Sequence, residues 1–80
     1  MEKTIDTRIS GILSKAVPLL LHFPAHRFWV DYDSDADVLY ISFQRPQEAT
    51  DTTMTDDGIL LRYRDDELVG VTVLDASTRS

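Results

Sequence analysis

The spacing of apolar residues changes once along the chain, near residue 28, and this change constrains the fold more than any other feature. Before it, apolar residues recur at the three- and four-residue intervals that form one stripe along a helix: Ile5, Ile9, Ile12, Leu13 and Ala16. After it, short runs of β-branched and aromatic residues alternate with polar ones, which is typical of β-strands. The sequence therefore predicts an amino-terminal amphipathic helix followed by a sheet.

The boundaries of these parts follow from prolines and from turn residues. We expect a single domain over residues 1–80, with a helix at 1–21, a connector at 22–27 and an antiparallel sheet at 28–77. Pro18 should end or kink the helix, because the residue before a proline avoids the helical region.

Turn residues within the second part indicate how its strands are joined. Asp57 and Gly58 form a dipeptide that is favoured in two-residue hairpins, since both residues tolerate positive φ. Gly70 lies within a predicted strand, where glycine marks a bulge or a close backbone approach. The fold class predicted is α+β, with the amphipathic helix packed on a four- to five-stranded antiparallel β meander.

The small size of the chain favours self-association. A chain of 80 residues buries only about 60% of its unfolded surface, and no cysteine is present to form a disulfide. Apolar side chains alternate on both faces of the predicted sheet, and one helix can cover only one face. We therefore expect a homo-oligomer, most simply a dimer. The candidate interface residues are Trp29, Leu39, Ile41, Phe43, Val69, Val71 and Val73.

The charge of the chain is uneven, and this unevenness indicates which partners it can attract. The net charge is −6, made up of +2 over residues 1–30 and −8 over residues 31–80. An acidic sheet repels phosphate backbones, so a basic protein partner is expected rather than nucleic acid. No apolar run approaches the roughly 20 residues that span a bilayer, and we expect a cytoplasmic protein without a membrane role.

Four aspartates alternate with other residues just before the second predicted strand: Asp31, Asp33, Asp35 and Asp37. A calcium loop would need glycine at its sixth position and glutamate at its twelfth, and neither register that begins at Asp31 or Asp33 supplies them. The residues therefore fit a solvated turn better than a metal site. A small metal-binding or catalytic domain that uses this hairpin end remains the alternative to a non-enzymatic protein without cofactors.

Three blocks, in this order and spacing, resemble the bacterial and archaeal domain of unknown function 2283 family. They are "YDSDADVLYISF" at Tyr32–Phe43, "DDGILLRY" at Asp56–Tyr63 and "LVGVTVLDAS" at Leu68–Ser77. The resemblance implies a small β-meander protein with no established activity and no catalytic residues to transfer. Members often occur beside small toxin-like proteins, which implies an antitoxin-like or regulatory role exercised through self-association and a protein partner.

Overall fold

The computed structural model describes the backbone of residues 3–79 and the side chains of residues 7–79. Helix α1 spans Lys3–Leu20, so the first two residues of the predicted helix lie outside the described residues. The strands that follow are β1 (Trp29–Asp33), β2 (Val38–Ser42), β3 (Asp51–Met54), β4 (Ile59–Arg64) and β5 (Glu67–Leu74). A short 3-10 helix at Ala76–Thr78 follows β5.

The five strands form one antiparallel sheet in the order β1-β2-β5-β4-β3. The predicted α+β class, with one amino-terminal helix and an antiparallel sheet, is thereby confirmed. The strand order differs from that of a plain meander, because β5 lies between β2 and β4. Composition accounts for this order: β3 reads "DTTM" and is exposed throughout, whereas β5 carries the valines that a central strand needs.

The register gives the sheet two chemically different faces. Leu39 pairs with Val73 and Ile41 with Val71, so these side chains share one face. The same face, which we call the apolar face, also receives Val30 and Tyr32 from β1 and Ile59 and Leu61 from β4. The opposite face, called the polar face, carries Asp31, Tyr40, Ser42, Arg62 and Thr72, together with the apolar Val38, Leu60 and Leu74.

The densest packing lies at one end of the apolar face. Ile41, Phe43 and Val69 each expose 7% of their surface or less. Phe23, from the segment between α1 and β1, places its ring 5.4 Å from that of Phe43 and 5.5 Å from that of Phe28, both in edge-to-face geometry. The connector therefore closes the end of the core and fixes the point at which the helix departs.

Helix α1 is partly buried only in its carboxyl-terminal part, where Ala16 and Leu20 are half-buried. Toward its amino terminus the described side chains are exposed. The Cα radius of gyration is 14.5 Å, compared with about 12 Å for a compact chain of this length. Pro18 lies inside the helix, which continues for two residues beyond it. In the last turn a proline removes one donor without stopping the helix.

Candidate interaction surface

The helix carries an apolar surface with no partner in the described chain. Four of its side chains expose between 42% and 57% of their surface and form what we call the helix stripe: Ile9, Ile12, Leu13 and Val17. A shallow concavity is lined by helix residues alone. Three of them belong to the stripe, Ile9, Leu13 and Val17, and the others are Ser10, Ser14 and Pro18. An isolated helix of this length is marginal in water, and its tertiary contacts usually stabilise it. The stripe therefore presents the chemistry of an interface rather than that of a solvated helix.

The seven predicted interface residues divide into two groups. Ile41, Phe43 and Val69 are buried within a single chain, where they form its core. The other four are half-buried: Trp29, Leu39, Val71 and Val73. Of these four, Trp29 lies on the polar face, where the Arg45 guanidinium carbon is 5.9 Å from its ring centroid.

Two residues of the apolar face were not singled out from the sequence. Val30 and Tyr32 lie on the edge strand β1 and expose about half of their surface. Their alternation with Asp31 and Asp33 was visible, but nothing in it indicated that β1 would be an edge strand. The apolar face thus extends outward from its buried centre to an exposed margin.

The first half of the aspartate hairpin is a hydrogen-bonded turn. The Asp33 carboxylate accepts the backbone N–H of Asp35 at 3.0 Å and that of Ala36 at 3.2 Å. Such a carboxylate satisfies backbone donors that a tight turn leaves free. Asp31 and Asp33 share the polar face, as predicted for alternate residues of a strand.

Asp37 has a different role, since it links the hairpin to the segment that follows β5. Its carboxylate accepts the Tyr32 hydroxyl at 2.6 Å, the Ser77 hydroxyl at 2.8 Å and the Ser77 N–H at 3.0 Å. The hydrogen bond from Tyr32, followed by those from Ser77, lowers the pKa of Asp37, and the same bond to Asp37 raises the pKa of Tyr32. The carboxylate therefore links the hairpin to Ser77, which lies 40 positions further along the chain.

A metal site is not assembled from these carboxylates. Among residues whose side chains the structure describes, no group of three or more potential ligands comes together. Two of the four aspartates, Asp33 and Asp37, are structural groups that accept hydrogen bonds from the fold. The chemistry that the hairpin supports is therefore hydrogen bonding within the fold, and the metal alternative gains no support from its geometry.

Gly70 allows a side chain to lie directly on the polar face. A Cβ at this position would overlap the carboxamide of Gln47. That carboxamide donates to the Ser42 hydroxyl at 2.7 Å and accepts the Arg62 Nε–H at 2.9 Å. The sequence predicted either a close approach to the backbone of Gly70 or a bulge. Both are present, because the β4–β5 register also shifts in this part of the sheet. No sequence pattern indicated that the Gln47 side chain would lie on this face.

The neighbouring loop is tied to the sheet by charged groups. Arg64 contacts Glu48 at 3.4 Å and Glu67 at 4.0 Å, and it also donates to Gln44. Gln44 in turn donates to Glu67 at 2.6 Å. These groups are largely solvent-exposed, so the arrangement orders the loop and contributes little to stability.

The sheet and its loops match a known protein family. A family model described as protein of unknown function (DUF2283) matches residues 29–77, which is more than half of the chain. No curated protein and no solved structure gives a significant match. Within the described residues, no helix is both long and apolar enough to cross a membrane.

Proposed function

The chain belongs to the DUF2283 family, whose description assigns no activity, and we propose that it is a small interaction protein of antitoxin-like or regulatory type. It acts by associating with itself and by binding a protein partner in the cytoplasm. It performs no catalysis in this role and needs no cofactor.

The observation that carries this proposal is the exposure of the helix stripe. Fully burying one large aliphatic side chain is worth about 1.5–3 kcal/mol, so covering four that are half exposed would contribute several kcal/mol. A chain of 80 residues has little stability to spare, and leaving this surface in water forgoes that contribution. An exposed apolar surface of this kind is typical of a protein–protein interface.

The charge of the sheet supports a basic protein as the additional partner. Residues 28–77 hold twelve carboxylates and three arginines, a charge of −9. Two of those arginines, Arg62 and Arg64, are engaged by groups of the chain itself. Complementary charge accelerates association and selects among partners more than it adds affinity.

The carboxylates whose surroundings the structure defines support a structural role over a catalytic one. Asp33 and Asp37 accept backbone and hydroxyl donors of the fold, and Asp57 accepts the Thr55 hydroxyl. A catalytic pair needs groups whose environments separate their pKa values inside a shielded cleft. Here the pKa values of Asp37 and Asp57 are both lowered by neighbouring hydroxyls.

The native mass in solution tests the proposal. The protein purified from its own host is expected to show, by light scattering after size exclusion, a multiple of the 9.1 kDa chain or a complex with a second polypeptide. Leu13→Asp, which places a charge on the helix stripe, should abolish the added mass. Thr7→Asp, an exposed position on the same helix that does not line the concavity, should retain it.

The result that overturns the proposal is a monomer of unchanged mass for the wild-type protein, with or without host extract. Circular dichroism of each variant verifies that the sheet is retained, so a change in mass can be assigned to the surface. Catalytic turnover of a metabolite that survives repurification and is lost with Asp37→Asn would also overturn it.

A further inference from the structure

Helix α1 leads away from its own sheet with its apolar side uncovered, and the sheet has an apolar face with an exposed margin. We propose that the helix stripe of one copy lies on the apolar face of a second copy, in a dimer in which each helix completes the core of its partner. This inference rests on the proposed function, and it assigns a second copy of the chain as the partner that covers the helix stripe.

The two surfaces match in chemical character. The helix stripe consists of aliphatic side chains, and the apolar face offers half-buried aliphatic ones at Leu39, Leu61, Val71 and Val73. Ala16 and Leu20, which are half-buried, lie on the same side of the helix as Ile9 and Leu13, because these positions recur at intervals of three and four. The side of the helix that is half-buried at Ala16 and Leu20 therefore continues toward the amino terminus as an exposed surface.

The connector explains why the cover comes from another copy. The N–H groups of residues 21–23 continue the helical hydrogen bonding to carbonyls in the last turn of α1, at 3.0–3.1 Å. Immediately afterwards the Phe23 ring is packed on Phe28 and Phe43. Folding the helix back over its own sheet would break these backbone bonds or displace Phe23. A second sheet can approach the helix with neither change.

Charge favours the same arrangement. Residues 3–20 contain three basic residues and one acidic residue, a charge of +2, whereas residues 28–77 carry −9. The net charges of the two parts are opposite, so the approach of the helix of one copy to the sheet of another is attractive, while two helices placed side by side would bring together parts of like net charge.

The length of the whole helix sets an upper limit on the size of this contact. An 18-residue helix is about 27 Å long and about 10 Å across with its side chains. Two reciprocal helix-on-sheet contacts therefore bury on the order of 1,000 Å² in total, close to the lower limit for specific interfaces. The pairing is isologous, because each copy gives a helix and receives one.

Single cysteines test the pairing directly, because the natural chain contains none. Leu13→Cys on one copy is co-expressed with Val30→Cys or Leu61→Cys on a differently tagged copy, and the purified dimer is treated with a short bis-maleimide. The mixed product should form several times more readily than with two controls. These controls are Tyr40→Cys on the polar face and Thr7→Cys on the helix outside the concavity, each replacing one member of the pair.

The outcomes separate this inference from the function on which it rests. A wild-type mass of twice 9.1 kDa with the mixed product supports both. A dimer that yields only the Leu13–Leu13 product overturns the swapped pairing and leaves self-association intact. A monomer that gains mass only with a basic host polypeptide overturns the pairing and leaves partner binding intact. A monomer that binds only lipid vesicles overturns both.

Discussion

Helix α1 and the sheet use the same kinds of apolar residue in opposite ways. In the sheet, Ile41, Phe43 and Val69 expose 7% of their surface or less, whereas the four residues of the helix stripe expose 42% or more. This end of the sheet therefore obtains its packing from within one chain. The helix obtains its packing from outside it, under our proposal. The difference should be visible in how the effect of each substitution depends on protein concentration.

The largest effect is expected from Phe43→Ala, which removes the ring that meets Phe23 at the end of the core. Truncation of a buried phenylalanine typically costs about 3–5 kcal/mol. Urea unfolding at low and at high protein concentration should show the same loss at both. A loss below about 1 kcal/mol would contradict the placement of the core at this end of the sheet.

Leu13→Ala sharpens the comparison from the helix side. At concentrations where the wild-type protein is a monomer, little stability should be lost, because the side chain is already half exposed. At concentrations where it is a dimer, the loss should reach on the order of 1–2 kcal/mol as a buried contact disappears. An effect that is independent of concentration would show that the stripe has no partner of its own kind.

Two glycines provide an independent contrast of comparable size. A Cβ added at Gly11 in α1 would meet no atom within 4 Å apart from its own helix backbone, so Gly11→Ala should stabilise the helix by up to about 1 kcal/mol. Gly70→Ala should instead cost about 1–3 kcal/mol, because its Cβ displaces the Gln47 carboxamide from Ser42 and Arg62. Thermal unfolding of both variants measures the two signs.

Gln47→Ala supplies the control for the second glycine. If the Gly70→Ala penalty arises from this carboxamide, the two substitutions share one cause and the double variant loses less than the sum of the single losses. Additive losses would instead assign the penalty to the backbone of β5.

The smallest effect concerns acid sensitivity. The folded pKa of Asp37 lies below its ordinary value of 3.8, so its ionised form stabilises the fold above that value and this contribution is lost as the pH falls through the folded pKa. Asp37→Asn should unfold at a lower temperature near neutral pH and lose less on acidification than the wild type. Asparagine tolerates the positive φ of this position, which keeps the backbone matched.

Asp35→Asn is the companion variant for this measurement, because the Asp35 carboxylate accepts none of the described hydrogen bonds. Because its side chain is exposed, it should unfold near the wild-type temperature at neutral pH. Profiles of Asp37→Asn and the wild type that coincide across the whole range would contradict the link between Asp37 and Ser77.

Local periodicity was sufficient to predict the helix and the strands. Ile9, Ile12 and Leu13 define a helix face by their spacing alone, and Asp57-Gly58 lies between β3 and β4, where a turn was expected. These features depend on neighbours within a few positions, which is the range over which sequence patterns are informative.

The strand order and the details of the loops depend on residues that are distant along the chain. The pairing of β2 with β5 brings Ile41 beside Val71, and no local pattern specifies which of several apolar strands will pair. The position of Gln47 over Gly70 likewise arises from a loop that crosses the sheet. The exposure of the helix stripe could not be predicted from the sequence either, because an amphipathic pattern predicts that one side of a helix is buried without indicating which surface buries it.

The central position of β5 has a consequence for how the protein is made. Strands β1 and β2 leave the ribosome first and β3 and β4 later, yet the two pairs have no direct connection through the sheet until β5 is inserted between them. The sheet therefore cannot close until Leu74 has been synthesised. Until then the nascent chain carries an exposed apolar helix ahead of an incomplete sheet, and any product that stalls before β5 lacks the strand that unites its halves.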